Sequence, residues 1–496
     1  MTISFKQIPS GLRLPGFYAE LDASQANTAS GTQRALIIGQ ITGAATLAPN
    51  VPVLSTSASE ARVAGGAGSV LAAMVAAYRA NDAFGEVWYL PVSDDPAAIA
   101  ATGSFTFSGP STAAGVLNLY IAGQVVAVAV TAGMSAAQLA TAAIGAIGAA
   151  VDLPVTAVVD GAVAAKVNLT AKNKGAVGND IDLRINFLGT AGGQVLPAGT
   201  GVTVAPMGGG ATNPTLTTAL AALGTLPFDF IVSPFTDAAS IAAVSGLLSD
   251  ATGRWSWQTE IFGHCFIAKR GTQGALATFG TGLNDQHLSC MGFNDSPTPN
   301  YVWAAAVAGA VAPSVRTDPA TPLQTLTVAG VLAPPVQSRF LPSQRNTLLY
   351  DGISTFRTDP AGAVQIENLI TTYQANAQGQ ADNAYLEAET MFSLMAVLRS
   401  FAGLFSSKFA RVKLGTDGVR YPAGSNVVTP STIAAEMVAL YRSLEDAGLV
   451  QNSNAFAAGL SVTKNAQNAG RVDTLAPITL IGQLRTVAMQ LQFKLS

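Results

Sequence analysis

Arg34-Ala-Leu-Ile-Ile-Gly39 and Val87-Trp-Tyr-Leu-Pro-Val92 are the stretches on which the reading of the fold turns. Each reads as a short apolar strand. Between them Ser57, with Glu60 three residues on, forms a capping box that starts a helix. Val70, Leu71, Met74, Val75 and Tyr78 then recur on one helical face. The result is a strand–helix–strand unit.

The same alternation resumes further along. Asn213-Pro214 opens a helix with the stripe Leu216, Leu220 and Leu223, closed by Gly224. Phe228 to Val232 is a buried strand, Asp237 caps the next helix, Thr259 to Ala268 is another strand, and a helix follows Thr272. Alternation of this kind predicts a mostly parallel sheet covered by helices. The last third is more helical. Asp382 is placed to cap a long helix carrying Leu386, Met391, Leu394, Met395, Leu398 and Phe401, and Thr429-Pro430 starts another with Ile433, Met437, Leu440, Tyr441 and Leu444 inward.

From about Gly103 to Pro206 the texture differs. Gly and Ala rise, aromatics thin out, and short strands appear at Leu117 to Ile121, Val125 to Thr131, Val155 to Val159, Val167 to Ala171 and Ile181 to Phe187, interrupted by a helix from Ser135 to Ala150. This block reads as a separate α+β domain inserted into the first. The expected fold is therefore multidomain, α/β and α+β, with a helix-covered mixed sheet core, an inserted β-rich domain and extended terminal β-arms. Its parts are an N-terminal arm and linker (1–22), a first part of the core (23–102), the insertion (103–210), a second part of the core (211–360), a helical C-terminal part (361–484) and a C-terminal strand arm (485–496).

The 496-residue length fits several domains. Charged residues are only 11 %, less than half of the roughly 25 % usual in soluble proteins, which suits a chain whose surface is covered by partners. Net charge is −3 and no basic run tracks a phosphate backbone, so nucleic acid is not an expected partner. The start, MTISFKQIPSGLRLPG, has no signal-peptide pattern. The most apolar window, Val302 to Val315, has 14 residues and closes at Pro313, short of the roughly 20 that a membrane span needs.

Chemistry-bearing motifs are scarce. Neither a Walker phosphate loop nor a G-x-S-x-G elbow occurs, and Gly65-Gly-Ala-Gly68 sits in a helical region without the strand that a dinucleotide fingerprint requires. His264, Cys265, His287 and Cys290 are the only His and Cys residues. The first two are neighbours in a strand and should face opposite ways, so a metal site is not expected. Asp237 and Asp285 are the least implausible acid–base candidates, but they lack a nucleophile or cofactor loop. No catalytic, cofactor-binding or metal-binding residue is assigned.

Both extremities read as lone strands. Ile3 and Phe5 alternate with Ser4 and Lys6 and lead to Ile8, before Pro9 stops the ladder. At the other end Val487, Met489, Leu491, Phe493 and Leu495 alternate with Ala488, Gln490, Gln492 and Lys494. A lone strand is not stable until a sheet accepts it. Pairing within the subunit and donation to a neighbouring copy are both open on this pattern. Gly11, Pro15 and Gly16 are points at which the front arm could change direction.

Ile8-Pro9 with Leu14-Pro-Gly-Phe-Tyr18, Arg345-Asn346 with Leu348-Leu349, Asp351-Gly-Ile-Ser-Thr355, Thr371-Thr-Tyr-Gln374, Tyr385-Leu-Glu-Ala-Glu-Thr390 and Lys413-Leu414 resemble, in order, the contractile tail sheath proteins of Mu-like bacteriophages. The inserted block, with Gly178-Asn179-Asp180-Ile181, is similar to the outer domain of that branch, and the sequence departs at Phe17, where many relatives carry Val. The resemblance implies a non-enzymatic subunit of a virion tail, assembled in the host cytoplasm. Hexameric rings would stack into a helical tube around the tail tube protein, bounded by baseplate and tail terminator proteins, with no cofactor, nucleic acid or membrane insertion. It also implies a tube-facing C-terminal part and terminal arms exchanged between subunits. The sheath of a phage-derived injection particle is an alternative with the same mechanics. A secreted adhesin or surface-layer protein is the alternative from a different class.

Overall fold

The computed structural model describes residues 33–422 and 424–495. Strand β1 (Ala35–Gln40) is followed by the three-residue β2 (Val53–Ser55), helices α1 (Ala58–Gly65) and α2 (Val70–Asn81), and β3 (Val87–Val92). β1 and β3 pair in parallel, Ala35 opposite Val87 and Gln40 opposite Val92, as a helical crossover allows. The edge strand β2 runs antiparallel and reaches only Val87 to Tyr89. Pro91, with no N–H to give to a ladder, lies beyond its end. The capping box expected at α1 is half made. Ser57 Oγ accepts from Glu60 N at 3.0 Å, but the Glu60 carboxylate turns instead to the buried Tyr89, whose hydroxyl donates to it at 2.5 Å. Gly65-Gly-Ala-Gly68 is not helical interior but the break between α1 and α2, and a Cβ on Gly68 would lie 2.3 Å from Leu153 O.

The insertion contains β4 (Thr102–Ser108), β5 (Gly115–Ile121), β6 (Gln124–Val130), α3 (Ala136–Ala149), β7 (Val155–Val159), β8 (Lys166–Ala171), β9 (Leu183–Ile185) and β10 (Gly201–Gly208). Its two antiparallel sheets run in the orders β10-β4-β8-β7 and β6-β5-β9. One apolar core serves both. Phe105, Leu119, Val128 and Leu169 meet Leu139, Ala143 and Ile147 of α3, which starts on a complete Ser135–Gln138 capping box. β4 and β10 fall outside the strands read from sequence because Gly, Ser and Thr dilute their pattern. The expected strand over Ile181 to Phe187 shrinks to β9, since a 3-10 turn over Ala176–Asp180 precedes it. Arg270, from the core, donates to Asp180 O at 3.1 Å and holds the root of the insertion.

The chain then returns through α4 (Thr217–Ala221), β11 (Phe230–Val232), α5 (Ala238–Leu248), β12 (His264–Arg270), α6 (Gln273–Thr281), β13 (Leu288–Phe293), α7 (Asn300–Thr317), α8 (Pro342–Tyr350), β14 (Thr355–Thr358) and β15 (Val364–Asn368). The core sheet has the order β13-β12-β11-β1-β3-β2, parallel except at β2. Successive side chains of β1 point to opposite faces. Ala35 and Ile37 join a cluster with α2 and α7, while Leu36 and Ile38 join one with Leu220, Val244, Leu276 and Leu348. Each such Leu or Ile contributes about 1.5–3 kcal/mol on burial, so helices on both faces are what the apolar strands require.

Three details differ from the sequence reading. Asn213 caps no helix: its Oδ1 accepts from Ala176 N at 2.9 Å and its Nδ2 donates to Asp237 at 2.7 Å. Residues 259–263 are loop rather than strand, with Glu260 and Phe262 at positive φ as the chain wraps around Arg254 O. α7 runs on through Pro313 to Thr317. The carbonyl that Pro313 leaves without a helical partner belongs to Gly309, where α2 comes so close that a Cβ would lie 2.5 Å from Tyr78 O.

The C-terminal part comprises α9 (Ala388–Lys408), β16 (Lys413–Leu414), β17 (Val427–Val428), α10 (Pro430–Asp446), α11 (Ser453–Gly459) and the hairpin β18 (Ser461–Lys464) with β19 (Val472–Leu475). Asp382 does not cap α9. It accepts from Ala384 N at 3.0 Å and from the Tyr373 hydroxyl at 2.7 Å, closing a turn, and the helix begins six residues later at Ala388. α9 is, by length and composition, apolar enough to cross a bilayer, whereas the sequence reading expects no span. Its burial explains the composition differently. Phe392 and Met395 enter the cluster on the α2–α7 face of the sheet, while Val397 and Leu404 pack against α10 and α11. One helix thus binds the core to the C-terminal part.

Candidate assembly interface

The groups that could carry chemistry are held apart in structural roles. His264 is fully buried, its Nε2 is 2.8 Å from Ser289 Oγ, and burial pushes its pKa down to about 3. Cys265 faces the opposite cluster, as strand alternation requires. His287 pairs with Asp250 at 2.8 Å and stacks on Trp255. Burial pushes both thiols up, that of Cys290 to about 12, so neither is a ready nucleophile. Among the described residues no three His, Cys, Asp or Glu side chains converge as a metal site would need. Asp237 caps α5 by accepting from Ser240 N at 3.0 Å, and Asp285 accepts from Ser245 Oγ and His287 N.

The C-terminal arm behaves differently from everything before it. Gln451 N donates to Thr479 O at 2.9 Å, and the Tyr441 hydroxyl accepts from Thr479 N at 3.1 Å, so the chain is tied down as far as Leu480. Ile481, Gln483 and Arg485 are then half-buried while Gly482 and Leu484 are exposed. From Thr486 to Leu495 every residue is exposed. Val487, Met489, Leu491, Phe493 and Leu495 lie between 75 % and 90 % exposed, and no strand is formed there. The alternation that predicts a half-buried strand therefore meets no sheet among the described residues. The front-arm residues Ile3, Phe5, Ile8, Gly11, Pro15 and Gly16 lie outside the described residues.

The hairpin of β18 and β19 is a two-stranded antiparallel sheet with Ser461 opposite Leu475 and Lys464 opposite Val472. Leu475 is 70 % exposed. A two-stranded sheet is marginal alone and gains from added strands, so it has the chemistry of an acceptor. The arm also has a fixed root that alternation alone does not reveal. Arg485 Nη2 donates to Glu387 at 2.7 Å and to Glu389 at 2.6 Å. The only hint in the sequence is the pair of glutamates two apart at the start of α9.

Comparison with known proteins gives a consistent result. Residues 209–372 match the phage tail sheath protein central domain, and residues 380–494 match the phage tail sheath C-terminal domain. A Mu-like prophage tail sheath protein of Haemophilus influenzae is 37 % identical over 495 residues, covering 99 % of this chain and 100 % of the relative. Among solved structures, a sheath tail protein from Desulfitobacterium hafniense aligns over 95 % of this chain and 97 % of its own, at 13 % identity and a TM-score of 0.48. One from Listeria innocua aligns over 92 % and 94 %, at 12 % identity and a TM-score of 0.47.

Proposed function

This chain belongs to the phage tail sheath family, in its Mu-like branch, and is a structural subunit of a virion tail sheath; we propose that its copies stack as hexameric rings around an inner tail tube, joined by exchanged terminal strands. The observation that carries this reading is the exposed C-terminal arm from Thr486 to Leu495, which pairs with no strand among the described residues.

Magnitudes favour strand pairing over loose apolar docking. Burying large apolar side chains such as Val487, Met489, Leu491, Phe493 and Leu495 offers about 1.5–3 kcal/mol each. Fixing the backbone costs about 1–2 kcal/mol for every residue of the arm. Apolar contact at every second residue does not clearly exceed that cost. Ladder hydrogen bonds at about 1 kcal/mol each do tip the balance. The backbone then supplies strength, and the alternating apolar face supplies register.

In this reading the front arm, through Ile3, Phe5 and Ile8, makes the complementary link and bends at Gly11, Pro15 and Gly16. Contraction is a rigid-body rotation and outward movement of subunits while the arms stay paired. The insertion at 103–210 faces outward and the helical part at 361–484 faces the tube. Partners are further copies of the chain, the tail tube protein, and the baseplate and tail terminator proteins. The subunit assembles in the host cytoplasm, catalyses no reaction, binds no nucleic acid and does not enter a membrane. Negative-stain microscopy of purified protein tests the reading: tubes or stacked rings are expected, and single subunits at every concentration would overturn it.

A further inference from the structure

We propose that Arg485 is the fixed root of the C-terminal arm, a positioning residue that sets where the arm leaves its own subunit and passes force from the arm into the core. The inference rests on the strand-exchange reading and adds to it the position of the pivot.

Three observations lead here. The alternation of half-buried and exposed residues stops at Arg485, and Thr486 to Leu495 are all exposed. Arg485 Nη2 bridges Glu387 at 2.7 Å and Glu389 at 2.6 Å. Glu389 is fully buried in the first turn of α9, and its carboxylate also accepts from the backbone N–H of Leu323, in the segment between α7 and α8. One guanidinium therefore ties together the arm, the helix that crosses between the two halves of the chain, and a core loop.

The contacts before Arg485 are weaker. Gln483 Nε2 donates to Ala320 O, and Gln324 Nε2 donates to Leu484 O, each at 3.4 Å. Charge-assisted bonds to a buried carboxylate are roughly twice as strong as neutral ones. If the arm is pulled, the load reaches the Arg485 clamp first, and the weaker neutral contacts behind it are shielded. Bending during a change of state is then confined to the residues after Arg485, starting at Thr486, and the ladder beyond them keeps its register. Two carboxylates facing one guanidinium also make the clamp selective. Removing Arg485 leaves two desolvated like charges side by side, so the root loosens rather than settling into another stable contact.

Spin labels on cysteines replacing Leu484, on the arm root, and Ser343, on α8, report this directly in free subunits diluted with unlabelled chain; both sites are exposed and both native cysteines are buried. The parent is expected to show one narrow distance distribution, and Arg485→Met to broaden it at least twofold. Arg485→Lys, which keeps a cation, should restore most of the narrowness. A control pair at Ala76 and Ser343, both on the core, should stay narrow throughout. A parent-like width in Arg485→Met overturns the proposal. If that variant fails to fold, Glu387→Ala, which removes the outer carboxylate, decides: broadening supports the clamp and an unchanged width overturns it. These distances do not depend on assembly, so a failure of strand exchange would show separately, as normal tubes built by a chain ending at Arg485.

Discussion

Arg399 Nη1 meets Asp229 Oδ1 at 2.5 Å, joining the middle of α9 to the residue that precedes β11. Asp229 is only 1 % exposed and also accepts from Arg34 N at 3.2 Å, at the start of β1. Burial pushes its carboxyl up, and the Arg399 guanidinium beside it pulls it back down. With Arg485 it makes a second charged fastening between the core and the C-terminal part.

Removing that partner exposes the cost. Arg399→Met should lower unfolding stability by about 2–4 kcal/mol, because an unpaired carboxylate remains in an apolar setting. Asp229→Asn should cost less, since it leaves no buried charge. Urea unfolding of both variants measures this, and a loss below about 0.5 kcal/mol in Arg399→Met contradicts it.

His264 predicts an acid-sensitive term. Its folded pKa, about 3, lies below the roughly 6.5 of an unfolded chain. Between those values the unfolded state binds the extra proton. This contribution is therefore full above about pH 6.5 and is lost as pH falls, by up to about 1.4 kcal/mol per pH unit. His264→Gln, which can still bond Ser289, should be less stable than the parent at pH 7, and the gap should shrink by pH 5. A gap constant across that range contradicts the assignment.

Two glycines should respond in opposite directions. Gly309→Ala places a Cβ 2.5 Å from Tyr78 O, between α2 and α7, and should destabilise by about 1–3 kcal/mol. Gly145→Ala, on the exposed side of α3 with nothing within 4 Å, should stabilise by about 0.5–1 kcal/mol. Thermal melts of the pair check this, and equal shifts would contradict the close α2–α7 approach.

Assembly should discriminate between the faces of the arm. Met489→Asp and Phe493→Asp put a charge on the apolar row and should raise the concentration needed for tube formation at least tenfold. Gln490→Asp, on the other row, should change it less than threefold. Equal effects measured by sedimentation would remove the register argument.

Legibility in the sequence followed the range of the interaction involved. β1, β3 and α2 are written in local apolar patterns, and the capping residue of α3 sits beside the helix it starts. Pro313 misleads because α7 runs on through it to Thr317 despite the missing N–H. Asp382 misleads because a cap and a turn use the same side chain. Asp229, Arg399, Glu389 and Arg485 are isolated charges separated by scores of residues, and only the folded chain pairs them. The arm shows the opposite situation: its alternating pattern is plain in the sequence, but among the described residues no strand of its own subunit pairs with it.

The central claim is that the last residues complete a sheet in another copy. A chain lacking residues 486–496, imaged by negative stain beside the full-length protein, tests it most directly. The account predicts folded, soluble subunits that no longer build tubes. Normal tubes from the shortened chain would contradict it.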